Sequence, residues 1–180
     1  GSIVKSFTAL FARDYYYVTN ELIIDSNYYK SALKKNIGYT QLIQSGPDTE
    51  PIIRNTYIKM INSARDSIKI STPYLGVDTE MLLALSLAAK SGVKVDIIIP
   101  EIPDKKSVYR VTESFVDDLL RNKINVHKMK GTFVHAKVII VDNEIACCGT
   151  YNLDVRSALI NFENTVLIYN NGVTKLVEDF

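Results

Sequence analysis

Two hydrophobic periods take turns along the chain. Ile53, Tyr57, Met60, Ile61 and Ala64 recur at the spacing of an amphipathic helix, and SIKIST (67–72) then alternates as a half-buried strand does. Asp78 stands where a helix cap belongs, ahead of Met81, Leu82, Leu85 and Ala89 on one apolar face, and Gly92 follows as a stop. VKVDIII (93–99) reads as a second strand. Val108, Val111, Phe115 and Leu119 mark a third helix, and KINVH (123–127) a third strand. This alternation predicts an α/β domain: a mixed, largely parallel sheet flanked by helices on both faces.

The last third changes period. VHAKVIIV (134–141) and EIACCGT (144–150) flank Asp142-Asn143, a dipeptide suited to a tight turn, so a C-terminal hairpin region is expected. NFENTVLIYN (161–170) gives a further strand, and GVTKLVEDF (172–180) starts a helix. Residues 3–36 have another texture, rich in tyrosine, with a helical tendency through KSFTALFARDYYYVTNELII (5–24). YTQLIQ (39–44) is a short strand candidate, and SGPDTEP (45–51) is a breaker that announces the next helix. The main domain is placed at 37–180. Gly1 and Ser2 read as the remnant of a cleaved tag and stand outside the fold.

The chemistry of the chain concentrates at the hairpin. On an extended strand His135, Lys137, Ile139 and Val141 share one face, and Ala136, Val138, Ile140 and Asp142 the other. Antiparallel pairing about the Asp142-Asn143 turn returns Thr150 and Asn152 towards His135 and Lys137. The next strand begins near Glu163 and adds a carboxylate. Asp142 lies about 20 Å along the strand from the histidine. It is expected to hold the turn or a neighbouring element rather than touch a substrate.

A histidine, a lysine and an asparagine at one sheet edge suit phosphoryl chemistry without a metal. The ammonium and the amide would hold nonbridging oxygens as charge builds on them. A neutral imidazole would attack phosphorus and carry a covalent intermediate. Glu163 would fix the ring tautomer and favour the developing positive charge. No cofactor or metal is implied.

Composition narrows the setting. With 180 residues, 47% hydrophobic and 23% charged, the chain can bury an ordinary globular core. A net charge of +1 gives no broad attraction to nucleic acid, so no nucleic-acid partner is expected. Adjacent Cys147 and Cys148 would point to opposite faces of a strand, which excludes a bridge between them and fits a reducing compartment. The longest apolar stretches fall far short of the ~20 residues that span a bilayer.

HAKVIIVD (135–142) followed by NEIACCGTYN (143–152) resembles the H-x-K-x4-D-x6-G-[ST]-x-N signature of the phospholipase D superfamily, with every spacing in place. The surrounding segments SGVKVDIIIP (91–100) and GTYNLDVRSALINFEN (149–164) look like the second catalytic half of bacterial cardiolipin synthases, over roughly residues 40–180. LFARDYYYVTNEL (10–22) looks like the helix that closes the first half, so residues 3–36 are expected to be that helix plus a linker. By position the resemblance implies His135 as nucleophile or general acid, and Lys137, Thr150 and Asn152 as phosphate-binding residues. It makes Glu163 the acidic partner of the histidine and gives Asp142 a structural role.

Family members bring two such motifs face to face; this chain carries one, since HKMK around His127 lacks the downstream pattern. The resemblance therefore implies half a site in a phosphatidyltransferase that acts on phosphatidylglycerol. A missing N-terminal half would complete it, or a homodimer. The implied full-length protein sits at the bacterial cell membrane, held by N-terminal anchors, with its catalytic domain in the cytoplasm and this part of it soluble. Phospholipase D-type hydrolysis, another phosphatidyl transfer such as phosphatidylserine synthesis, and an inactive docking half are the alternatives. Three features have plainer readings. His127 is a strand-end residue, the Tyr15-Tyr16-Tyr17 cluster packs against the first half rather than lipid, and TPYL (72–75) lines a pocket wall or merely ends a strand.

Overall fold

A computed structural model describes residues 2–29 and 38–169. Helix α1 (Ser2–Thr19), which takes in Ser2 although that residue was expected to stand outside the fold, and a single 3-10 turn (Ser26–Tyr29) come first. There follow β1 (Tyr39–Ser45), α2 (Ile52–Ser63), β2 (Ser67–Ser71), β3 (Leu75–Gly76), α3 (Thr79–Lys90), β4 (Lys94–Pro100) and α4 (Lys106–Arg121). The remainder is β5 (Asn125–Met129), β6 (Val138–Val141), β7 (Ile145–Gly149), β8 (Leu153–Asp154), α5 (Val155–Leu159) and β9 (Glu163–Tyr169). The helix expected over 172–180 and the first residue of the domain, Ile37, lie outside the described residues.

The main sheet has seven strands in the order β1-β9-β7-β6-β2-β4-β5. It is mixed, as expected, but parallel pairing is confined to β2–β4 and β4–β5. The interfaces β1–β9, β9–β7, β7–β6 and β6–β2 are antiparallel. The reason lies in the connections. A helical crossover returns the chain in the same direction, whereas the Asp142-Asn143 hairpin reverses it. The loop has three residues, 142–144: Val141 pairs with Ile145, Asp142 and Asn143 take positive φ (52° and 55°), and Glu144 N–H donates to Val141 O at 3.0 Å.

One face of the sheet carries the core. Ile68, Ile70, Val95, Ile97, Ile99, Ile139, Val141, Cys147 and Leu167 form a continuous cluster with Ile53 and Ile61 of α2, Met81 and Leu85 of α3, and Leu119 of α4. Each fully buried aliphatic side chain here contributes about 1.5–3 kcal/mol relative to exposure. A smaller cluster of Ile140, Ala146 and Ile168 lies on the opposite face. Among the described residues, α2, α3 and α4 all share the larger cluster.

Local signals in the sequence act as read, with two differences. Asp78 caps α3 by accepting from the Met81 N–H at 2.8 Å. In α4 the inward position is Thr112, not Val111, which is 52% exposed. The buried stripe 108-112-115-119 follows the helical repeat more closely, and the Thr112 hydroxyl accepts from Leu75 N–H at 3.2 Å, satisfying a buried donor of β3. The third strand starts two residues later than expected, because α4 runs to Arg121 and Lys123 turns the chain through positive φ.

Candidate active site

Four segments meet at one end of the sheet: the exit of β2, the entrance of β6, the exit of β7 and the entrance of β9. Ser71 pairs with Val138, Gly149 N–H reaches Lys137 O at 3.2 Å, and Gly149 pairs with Thr165. The short parallel pair β3–β8 binds the segment after β2 to the one after β7. Thr72 adds a second stitch, since its Oγ1 accepts from Leu153 N–H at 3.1 Å. Gly149 is required by proximity. A Cβ built there would lie 2.1 Å from Asn164 O, a distance no side chain tolerates.

His135 and Lys137 stand just before β6, in irregular chain, and not within a strand as the alternating pattern predicts. His135 is exposed and Lys137 half-buried. Their side chains do not stand in a plain row: the Lys137 ammonium folds back to donate to His135 O at 2.8 Å. The His135 ring rests among aromatic rings, with Phe133 at 5.4 Å and Tyr74 at 6.4 Å between centroids.

The second arm of the hairpin brings the polar groups back. Thr150 Oγ1 donates to Glu163 Oε2 in a short hydrogen bond and accepts from Asn164 N–H at 2.9 Å. Glu163 is buried, and its other oxygen accepts from Asn161 Nδ2 at 3.0 Å. The expected contact between Glu163 and the His135 ring is therefore absent from the hydrogen bonds of the described residues. The carboxylate sits in the sheet entrance, committed to Thr150 and Asn161, while the imidazole projects from the loop ahead of β6. Asn152 Nδ2 donates to Ser157 Oγ at 3.1 Å, and its Oδ1 is buried with no partner among the described residues.

Electrostatics ties these groups into one neighbourhood. Burial pushes the Lys137 ammonium below its usual value, against the opposing pull of the Glu163 and Asp154 carboxylates. Burial pushes the Asp154 carboxyl up, and Glu163 adds to the effect despite hydrogen bonds from Ser157.

Asp142 lies at the other end of the strand. Its carboxylate accepts from the backbone N–H groups of Arg65, Asp66 and Ser67 at 2.9, 2.9 and 2.8 Å. It clamps the β6–β7 turn to the α2–β2 connection. Burial raises its carboxyl, but the three donors outweigh that and hold it below the usual carboxylate range.

The family model described as cardiolipin synthase, PLD-like domain, matches residues 57–180, more than half the chain. The chain belongs to this family. Curated cardiolipin synthases of Alkalihalophilus pseudofirmus and Halalkalibacterium halodurans are 40% and 41% identical to it over 184 aligned residues. Those alignments cover all of this chain but 37% of each relative, so the chain spans little over a third of the length of the proteins it matches. Among solved structures it resembles Nuc, a phospholipase D family member from Salmonella typhimurium (TM-score 0.67, 26% identity), over 79% of this chain and 91% of that one. The phosphatidylserine synthase of Haemophilus influenzae shares the fold (TM-score 0.61, 19% identity), over 83% of this chain and 39% of that one.

Several residues outside the signature join this neighbourhood. Phe133 and Tyr74 flank the histidine, and Asp154 and Ser157 brace Asn152. Asp154 caps α5 through the Ser157 N–H at 2.7 Å, and its three-residue spacing from Ser157 was the available signal. Of TPYL, Tyr74 lies beside the imidazole, with ring centroids 6.4 Å apart. His127 pairs with Asp96 at 2.8 Å on the far strands, as an ordinary strand residue. A cleft between α1, β1 and α2 is lined by none of His135, Lys137, Asn152 or Glu163.

Proposed function

We propose that this chain supplies one of two half-sites for phosphatidyl transfer in cardiolipin synthesis. An imidazole nitrogen of His135 attacks the phosphorus of one phosphatidylglycerol, and the bond to its terminal glycerol breaks. A histidine of the companion half protonates the departing alkoxide, so free glycerol leaves. The same companion then takes the proton from the glycerol hydroxyl of a second phosphatidylglycerol. That oxygen attacks phosphorus, the P–N bond breaks, and cardiolipin is released. The roles of the two histidines interchange if the companion attacks first.

The observation that carries this reading is a complete H-x-K-x4-D-x6-G-T-x-N signature whose His135, Lys137, Gly149, Thr150 and Asn152 lie towards one sheet end, while Asp142 braces the turn at the other. Lys137 holds nonbridging oxygens by charge. Asn152 contributes once its amide makes a half-turn, giving the orphaned Oδ1 to the Ser157 hydroxyl and freeing Nδ2 to donate. Glu163 acts on the Lys137 charge through its field and on Thr150 through their hydrogen bond, not by contact with the imidazole. Asp142 acts through the hairpin. Among the described residues no helix is long and apolar enough to cross a membrane, so contact with a lipid surface falls to the rest of the protein or to the rim of the site.

The test uses the full-length protein and phosphatidylglycerol labelled in the phosphatidyl moiety. His135→Asn is expected to abolish both cardiolipin formation and label trapped on protein. Trapped label that survives in this variant assigns attack to the companion histidine. Phosphatidic acid as the main product would replace transfer with hydrolysis.

A further inference from the structure

The imidazole of His135 has no hydrogen bond to hold it among the described residues, yet attack on phosphorus demands a defined ring direction. Its ring meets Tyr74 edge to face, at 81° between planes, and Phe133 at 33°. Tyr74 is itself held from three sides. Its hydroxyl donates to Asp104 Oδ2 at 2.5 Å, and its carbonyl accepts from Thr72 Oγ1 at 2.8 Å. The same Thr72 oxygen receives Leu153 N–H, one residue beyond Asn152. The third restraint is Phe133, whose ring lies 6.4 Å from that of Tyr74. One tyrosine thus joins the histidine loop, the asparagine segment and the loop after β4.

We propose that Tyr74, latched by Asp104, is a positioning residue that sets the direction of the His135 ring for transfer. The inference rests on the reading of His135 as a reacting group, and adds what orients it. Aromatic edge-to-face contacts are directional, so a ring pinned at its far end constrains its neighbour's rotation better than a free one. Asp104 lies on the surface, so loss of the latch leaves a solvated carboxylate rather than a buried orphan. The phenol stays protonated and donating throughout the working range, since the Asp104 hydrogen bond pushes its pKa up to about 12.

The test compares Tyr74→Phe, Tyr74→Leu, Asp104→Ala and Asp104→Asn in the full-length protein, with His135→Asn as reference. Tyr74→Leu is expected to lower kcat on the order of 10²-fold with KM little changed, the cost of a misdirected reacting group. Tyr74→Phe and Asp104→Ala should each cost about tenfold, and the double variant no more than either, because both remove one bond. Asp104→Asn keeps an acceptor and should restore most of the rate. An independent reading comes from the His135 ring resonances in protein labelled at histidine. They should shift and broaden in Tyr74→Phe while the unfolding temperature and the His127 resonances hold. Unchanged His135 resonances, or additive losses from Tyr74→Phe and Asp104→Ala, overturn the latch. If His135→Asn is fully active, the transfer reading falls, and the ring resonances still decide whether Tyr74 orients that imidazole.

Discussion

At the scale of single residues the site is governed by how each polar group is satisfied. Lys137 is the clearest case. Its ammonium is stripped of part of its water, which favours the neutral amine, and two carboxylates only partly offset this. The proton therefore leaves at a lower pH than the ordinary lysine value of 10.5. If the charge holds phosphate oxygens, kcat/KM should begin to fall before pH 10.5 is reached. Lys137→Arg, which stays charged, should remove that alkaline limb even though its planar fork fits the site less well. Lys137→Met should cost on the order of 10²–10³ in kcat at neutral pH. A wild-type alkaline limb that persists unchanged in Lys137→Arg would assign it to another group. Asn152 teaches a second lesson at this scale: the residue type was legible in the sequence, but which end of its amide faces Ser157 depends on neighbours that only folding supplies.

Between elements, the decisive contact is Asp142 on the α2–β2 connection. Three backbone donors on one carboxylate, across 75 to 77 residues of chain, make this a joint between the hairpin and the parallel half of the sheet. Asp142→Ala should lower stability by about 2–3 kcal/mol, since it strands three N–H groups and also places alanine at a positive φ. A folded carboxyl pKa held below its unfolded value stabilises fully above the unfolded value near ~3.9 and ceases to as pH falls through the folded one. Denaturant titrations should show the wild-type advantage over Asp142→Ala at pH 7, shrinking at strongly acid pH to the part that comes from the positive φ. Turn chemistry and strand alternation revealed the hairpin in advance. What they could not reveal was that β6 begins at Val138, which leaves His135 and Lys137 in irregular chain. Alternation persists in the sequence past the point where pairing stops.

For the molecule as a whole, the single motif and the exposed N-terminal face point the same way. Phe11, Tyr17, Leu22 and Ile24 are 61%, 78%, 70% and 82% exposed, far more apolar surface than one short segment usually shows. The companion half proposed above is expected to cover this face. This chain alone is therefore expected to turn over no phosphatidylglycerol, and addition of the separately made companion half should restore cardiolipin formation. Turnover by the chain alone, rising with the square of its concentration, would instead assign completion of the site to a second copy.

The order of the longer helices and strands, the hairpin, the cap at Asp78 and the identity of the motif residues were determined by sequence, because each depends on neighbours within a few positions, whereas the short β3, β8 and α5 were not. The mix of strand directions, the handing of Glu163 to Thr150 rather than to the histidine, and the ring of Tyr74 against His135 were decided by tertiary structure. Those contacts join segments dozens of residues apart, and their energies come from burial and competition among donors and acceptors that no local pattern encodes.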